Sequence, residues 1–389
     1  MSSDSAPPQP LQELVGRYDA DVADFRAGRA RIRLAVRDGD AWDVVIGRRR
    51  AKLERANGDH PDACLAADEP TWAQIAADVR GGMVAFRAGK LTIRQNLHVG
   101  VGFLAATSGI TEQRRLRFET LDTDAGRIST AQAGAGPTVI AIHGLGASKA
   151  SFLPTLEALA DDFRVVAMDL PGFGDSDKPL GAPYHAPFFA TAVVALLDAL
   201  GEDRAHLIGN SLGGRVALEV GLRHPERVER LGLLAPSLAW RRPRPYARPL
   251  KYVRPELGVL PHTPQRVVRA IVDRVVPGAT EGWTAAGIDE FMRAFLTPRG
   301  RAAFYATARQ IYLEEPEGEK GFWTRLARLQ PDALFVWGRQ DRLVPIAFAR
   351  HVSETAPGAR HLELNCGHVP QLERPRETHR ALIEFLGEA

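Results

Sequence analysis

The chain has 389 residues, 45% hydrophobic and 25% charged, with a formal net charge of +3. That length exceeds one ordinary core and predicts about two domains, and the composition excludes a disordered or fibrous chain. Basic residues are scattered among nearly as many acids, which argues against a nucleic-acid partner.

Cys64 and Cys366 lie far apart and imply no disulfide framework. No leader pattern opens the chain and no run of about 18 apolar residues occurs, so a cytoplasmic protein with at most peripheral membrane contact is expected. Residues 1–10 are polar and proline-rich and read as a disordered lead-in, followed by a short helix from Leu11 to about Phe25. Ile32, Leu34 and Val36 alternate with arginines, and Trp42, Val44 and Ile46 alternate again beyond Asp38-Gly39-Asp40, the pattern of an antiparallel hairpin. A helix is expected at 71–79, a strand pair around Gly89-Lys90, and the first domain closes on the apolar stretch 97–109. From the hairpin to FRAGKLTIRQNLHVGVGFLAATSG, the order of elements and the phrase GKLTI resemble the sterol carrier protein 2 family. The resemblance implies a small α+β domain over residues 11–108 that holds a lipid in an apolar cavity. The alternative is a small domain used only for docking.

A polar linker, 109–118, leads to a second domain at 119–389. There, short apolar strands alternate with helix-length segments, as in a parallel sheet with crossover helices. Strands are expected at 138–144, 165–171, 206–210, 231–236, 333–338 and 361–365, several without polar alternation because both faces are covered. The stretch of about 240–329 reads as an insertion above that sheet.

The segment Gly209-Asn210-Ser211-Leu212-Gly213-Gly214 lies between an apolar strand and a helical pattern, the context of a nucleophile elbow. Ser211 is the candidate nucleophile, with small Gly209 and Gly213 permitting the tight turn. A serine needs a base and a group that fixes the base's tautomer. His368 and Asp341 each follow a strand and supply the order Ser, Asp, His. His361 begins a strand, Asp332 precedes one and Glu363 lies inside one, so none is chosen. The amides of Leu212 and Leu145 are the candidate oxyanion donors, with His143 and Gly144 supporting the Leu145 loop.

HGLG, DLPGFGDSDKP, GNSLGG, WGRQDRLVP and CGHVPQLERP together resemble the α/β-hydrolase fold superfamily over about residues 116–389. The resemblance implies an α/β fold, an eight-stranded, mostly parallel sheet with a helical cap, and neither cofactor nor metal. Serine at the elbow argues against the dehalogenases and epoxide hydrolases of this fold, which use aspartate there.

The insertion carries Trp240, Tyr246, Phe291, Phe295, Phe304, Tyr305, Tyr312, Phe322 and Trp323, which either line a pocket for a small lipophilic substrate or pack the cap onto the sheet. The basic segment 241–257 reads as a solvated lid edge. The leading function is hydrolysis of a carboxylic ester, with the first domain delivering or retaining lipid. One alternative is a carbon–carbon bond hydrolase of the meta-cleavage type, with Arg293 and Arg309 as candidate cap cations. The other is a non-enzymatic lipid-binding protein.

Overall fold

The computed structural model describes residues 6–22, 25, 29–47, 49–77, 82–108, 116–241, 244–252, 254, 264, 266–267 and 282–388. Residues 1–5 of the expected lead-in, 109–115 of the linker and part of the basic segment 241–257 lie outside the described residues. The chain divides into two compact units, Met1–Glu119 with Gln265–Arg293, and Thr120–Pro264 with Ala294–Ala389. The segment read as one cap, 240–329, is therefore shared between the units.

In the first unit, strands β1 (Ala30–Val36), β2 (Ala41–Ile46), β3 (Ala51–Arg55), β4 (Ala63–Ala67) and β5 (Thr92–Arg94) form a sheet in the order β3-β2-β1-β4-β5. The hairpin pairs Ile32 with Val44 and Leu34 with Trp42, all buried on the core side. On β1, Arg31 and Arg33 reach the fully buried Asp43, and the Arg33 contacts of 2.8 and 3.0 Å compensate a charge that burial alone would penalise.

Helix α1 (Gln9–Gly16) starts slightly before the expected position and ends well short of the expected Phe25, with a proline in its first turn where a missing N–H costs nothing. Helix α2 (Glu69–Ala77) covers the expected segment through residue 77, and residues 78–79 lie outside the described residues. The strand pair around Gly89-Lys90 is not formed: α3 (Met83–Arg87) precedes the turn and only β5 follows it. The apolar stretch becomes α4 (Leu97–Ala106), capped by Asn96 and buried along nearly its whole length. Arg94 grips Asp289 through two contacts of 2.6 and 3.1 Å, which ties the helix Gly282–Phe295 into this unit.

The second unit is built on an eight-stranded mixed sheet. Its strands are β6 (Arg117–Thr123), β7 (Gly126–Ala133), β8 (Thr138–Ile142), β9 (Arg164–Met168), β10 (Ala205–Asn210), β11 (Val228–Leu234), β12 (Asp332–Gly338) and β13 (Arg360–Leu364). They run in the order β13-β12-β11-β10-β8-β9-β7-β6. Parallel pairing holds from β9 to β13, and β7 joins β9 antiparallel. Val139, Ile140, Ala141 and Ile142 on β8 are all fully buried, as helices on both faces require. Strand β6 begins inside the expected linker, whose alternating charges belong to a strand with one solvated face.

Candidate functional site

Strand β10 ends at Asn210, and Ser211 turns the chain with φ 54° and ψ −114° into helix α5 (Leu212–Arg223). A side-chain-bearing residue in this conformation costs about 1–3 kcal/mol, so its surroundings must hold it. They do: Ser211 N–H donates to Leu234 O at 3.0 Å, and Ser211 O accepts from Ser237 N at 2.8 Å and Arg215 N at 3.1 Å. The glycines are required by close approach. A Cβ on Gly209 would lie 2.2 Å from Gly213 O, and one on Gly213 would lie 1.9 Å from Ile142 O.

His368 follows β13 in a loop clamped by Glu373, whose carboxylate accepts from Gly367 N at 2.7 Å and Val369 N at 2.9 Å. The imidazole Nδ1 lies 2.7 Å from Asp341 Oδ2. Asp341, its side chain fully buried, accepts through Oδ1 from Leu343 N at 2.8 Å and Val344 N at 3.0 Å. With one oxygen held by backbone and the other on Nδ1, the carboxylate fixes the ring's orientation and leaves Nε2 as the free edge.

The loop after β8 lies against the elbow, since a Cβ on Gly144 would stand 3.3 Å from Ser211 Cβ. His143 is fully buried. Its Nε2 accepts from Leu170 N at 3.0 Å, so the proton sits on Nδ1, which donates to Gly144 O at 2.7 Å. Burial pushes the His143 pKa below its ordinary value, although Asp169 pulls it the other way, and the ring stays neutral. Across a trans peptide the C=O and the next N–H point in opposite directions, so fixing Gly144 O also fixes the Leu145 N–H. The far end of the loop is pinned by Lys149. Its backbone donates to Asp169 Oδ1 at 2.7 Å, and its ammonium donates to Asp169 Oδ2 at 2.6 Å and Asp175 Oδ2 at 3.3 Å. Burial alone would raise the Asp169 carboxyl, but the Lys149 ammonium and the other donors around it, the Asp175 N–H among them, together hold it below the usual carboxylate range. Leu212 is the first residue of α5, so its amide is among those with no acceptor inside the helix.

The structure thus brings His368 to Asp341 and the Gly144 loop to Ser211. Among the described residues Ser211 Oγ makes no hydrogen bond, and the base loop meets the elbow through Asn210, whose Nδ2 donates to His368 O at 3.1 Å and Leu234 O at 3.0 Å. Sequence reasoning passed over Asn210, Lys149 and Glu373. For Asn210 the available signal was its place beside the candidate nucleophile, and for Glu373 its position just after His368. His361 stands apart on β13, with Nδ1 accepting from Trp337 Nε1 at 3.0 Å. Arg293 pairs with Glu290 at 2.7 Å, and Arg309 donates to Leu250 O at 3.3 Å. Among the described residues no cluster of three or more His, Cys, Asp or Glu is arranged to hold a metal, and no helix is long and apolar enough to cross a membrane.

A family model for the alpha/beta hydrolase fold matches residues 137–270. A 2-hydroxy-6-oxononadienedioate/2-hydroxy-6-oxononatrienedioate hydrolase of Cupriavidus pinatubonensis is 30% identical over 308 residues, which span 73% of this chain and 99% of that protein. The solved enol-lactonase of Burkholderia xenovorans LB400 superposes with a TM-score of 0.56 at 22% identity, covering 69% of this chain and 100% of that one. A solved bacterial membrane phospholipase A superposes with a TM-score of 0.53 at 28% identity, covering 70% of this chain and 87% of that one. With a relative matched along nearly its whole length and the eight-stranded sheet in place, the chain belongs to the alpha/beta hydrolase fold family and is a hydrolase.

Proposed function

We propose that the protein hydrolyses a carboxylic ester of a lipophilic substrate through an acyl-enzyme on Ser211. The observation that carries this reading is the arrangement at the strand ends: a strained serine at the elbow and, in the loop tied to that elbow through Asn210, an imidazole whose Nδ1 is fixed by a buried carboxylate at 2.7 Å. In this reading His368 Nε2 takes the Ser211 proton as Oγ attacks the carbonyl, and Asp341 stabilises the imidazolium. The Leu145 and Leu212 amides receive the oxyanion, His368 returns the proton to the departing alkoxide, and water clears the acyl group by the same route.

Carbon–carbon cleavage is the second reading, favoured by the dienedioate hydrolase that matches this chain at 30% identity. It additionally needs polar groups that grip a dienolate and a carboxylate while the substrate becomes a ketone. The two cations suggested for that task already have partners, Glu290 for Arg293 and the Leu250 carbonyl for Arg309, which supports the ester reading. The phospholipase A likeness points the same way.

The first unit fits a lipid carrier: a five-stranded sheet beside an almost wholly apolar buried helix, Leu97–Ala106, supports a role in holding the substrate's lipid part. A cytoplasmic location and no cofactor complete the proposal. The test is a series of p-nitrophenyl esters of rising chain length run beside a coloured meta-cleavage product, with organophosphonate labelling of Ser211. Turnover of medium-chain esters is expected. Labelling without ester turnover, together with bleaching of the coloured compound, would establish the second reading instead.

A further inference from the structure

Among the described residues Ser211 O accepts from two backbone donors, Arg215 N at 3.1 Å and Ser237 N at 2.8 Å, and both donors lie in segments gripped by one stretch of the insertion, residues 314–323. That stretch begins where the helix Pro298–Leu313 ends, with Glu314 as the residue that closes the helix. At its near end Arg215 Nε donates to Glu314 Oε1 at 2.8 Å and Oε2 at 3.0 Å, and Arg215 Nη2 donates to Glu314 Oε1 as well. At its far end Trp323 Nε1 donates to Ala239 O at 3.0 Å, two residues beyond Ser237. The stretch folds back on itself, since Phe322 N donates to Glu315 O at 2.8 Å and Trp323 N to Pro316 O at 3.1 Å. The helix Pro298–Leu313 leads into it from the same core, burying Ala303 and Ala306 in one cluster with Leu212 and Val216 of α5.

An arginine side chain is long, and it transmits position only when its end is fixed. Arg215 meets that condition: it is 2% exposed, its guanidinium lies 4.8 Å from the centre of the Phe322 ring, and Nη2 also donates to Glu219 at 2.7 Å. Glu219 is shared with Arg223 at 2.6 Å and Arg325 at 2.9 Å, whereas Glu314 stands 4.0 Å from Arg325 and meets Arg215 at hydrogen-bond distance. Without Glu314, one carboxylate would serve these three guanidinium groups, and a buried charge that loses a partner is penalised far more than an exposed one. The pairing therefore draws the start of the 314–323 stretch onto α5. What α5 holds in turn is Ser211 at φ 54°, a conformation that persists only while its neighbours oppose relaxation.

We propose that the 314–323 stretch seats the nucleophile turn: docked on α5 through Glu314 and Arg215, it holds Ser211 in its reactive geometry, and undocking it slackens the turn. Arg215 is a positioning residue in this role, because its side chain acts on Ser211 only through its own backbone. The proposal rests on Ser211 being the nucleophile. Its test is the second-order rate at which an organophosphonate labels Ser211 in the full chain, a rate that reads the turn and the base whatever the substrate's chain. Glu314→Gln, which keeps the length and loses the charge, is expected to slow labelling about 10- to 100-fold and to lower kcat for a p-nitrophenyl ester by the same factor with KM nearly unchanged. Arg215→Lys, which keeps the charge and loses the fork, should slow labelling less. Adding Arg215→Met to Glu314→Gln should cost little more than Glu314→Gln alone, because one residue acts through the other. Arg223→Gln is the control: it takes a half-exposed guanidinium from the same cluster without touching the insertion, and should label at the wild-type rate. A folded Glu314→Gln protein that labels as fast as wild type overturns the proposal, and so does equal slowing in Arg223→Gln, which would mean that any loosening of the cluster suffices. If Glu314→Gln does not fold, Glu314→Asp takes its place with a severalfold slowing expected, and a wild-type rate there overturns the proposal equally. An unlabelled wild type would remove the Ser211 reading itself and this inference with it, a result distinct from equal labelling of wild type and variant.

Discussion

Asn210 and His368, 158 residues apart in the chain, are joined by a 3.1 Å hydrogen bond from the Asn210 amide to the His368 carbonyl. The same nitrogen donates to Leu234 O, which also accepts from Ser211 N, so the base loop and the nucleophile turn share one reference point. In the proposed reaction Asn210 would therefore act through position rather than contact. Asn210→Ala should lower kcat by about 10- to 100-fold with little change in KM, the scale at which small misplacements of reacting groups act. Steady-state kinetics would decide the matter. A fall in thermal midpoint with kcat intact would reduce Asn210 to a packing residue.

Removal of the proposed nucleophile or base should be far more severe. Ser211→Ala and His368→Ala are each expected to lower turnover by several orders of magnitude, and the double variant should be barely slower than either, because the groups work as a unit. A Ser211→Ala protein retaining more than about a tenth of the wild-type rate would sink the assignment.

His143 tests the oxyanion loop without touching its donors. Loss of the 2.7 Å bond to Gly144 O frees the peptide that carries the Leu145 N–H. Deleting a donor outright costs about 10²–10³ in kcat, so His143→Ala, which only loosens one, should cost about 10- to 100-fold and leave KM nearly unchanged. An unaltered kcat would show that the Leu145 amide is held in place by other contacts.

Much of this site could be read from sequence because each polar candidate follows a run such as Thr138–Ile142 or Asp332–Gly338, whose lack of alternation marks a strand covered on both faces. Spacing along the chain then puts Ser211, Asp341 and His368 beyond strand ends. Short segments carried no such signal. Met83–Arg87 has too few residues for a period to separate helix from strand, and Arg117–Thr123 looked like a charged linker because its strand leaves one face in water. The buried Lys149 was illegible for a different reason. Lysine is ordinarily exposed, and only the fold brings Asp169 and Asp175 to it. The pairing of Arg94 with Asp289 joins positions 195 apart, which no local pattern encodes.

Behind the elbow, Glu219 sets an acid limit on stability. Its side chain is fully buried and accepts from Arg215 at 2.7 Å, Arg223 at 2.6 Å and Arg325 at 2.9 Å. Burial alone would raise its pKa, but the Arg215 charge and the hydrogen bonds from Arg223 and Arg215 prevail and bring it from 4.5 down to about 2. The carboxylate is thus favoured in the folded state, and its stabilisation is complete above the unfolded value of 4.5 and lost as pH falls toward about 2. The shift corresponds to on the order of 3 kcal/mol. Glu219→Gln removes that acid-sensitive contribution and leaves the buried Arg215 with Glu314 as its remaining carboxylate partner. At pH 7 the variant should unfold at a clearly lower urea concentration than wild type, and the gap between them should narrow steadily as pH drops through this window. Urea midpoints measured for both proteins at several pH values between neutrality and about 2.5 would show it. A gap of constant size across the range would mean that Glu219 contributes through packing and not through its charge.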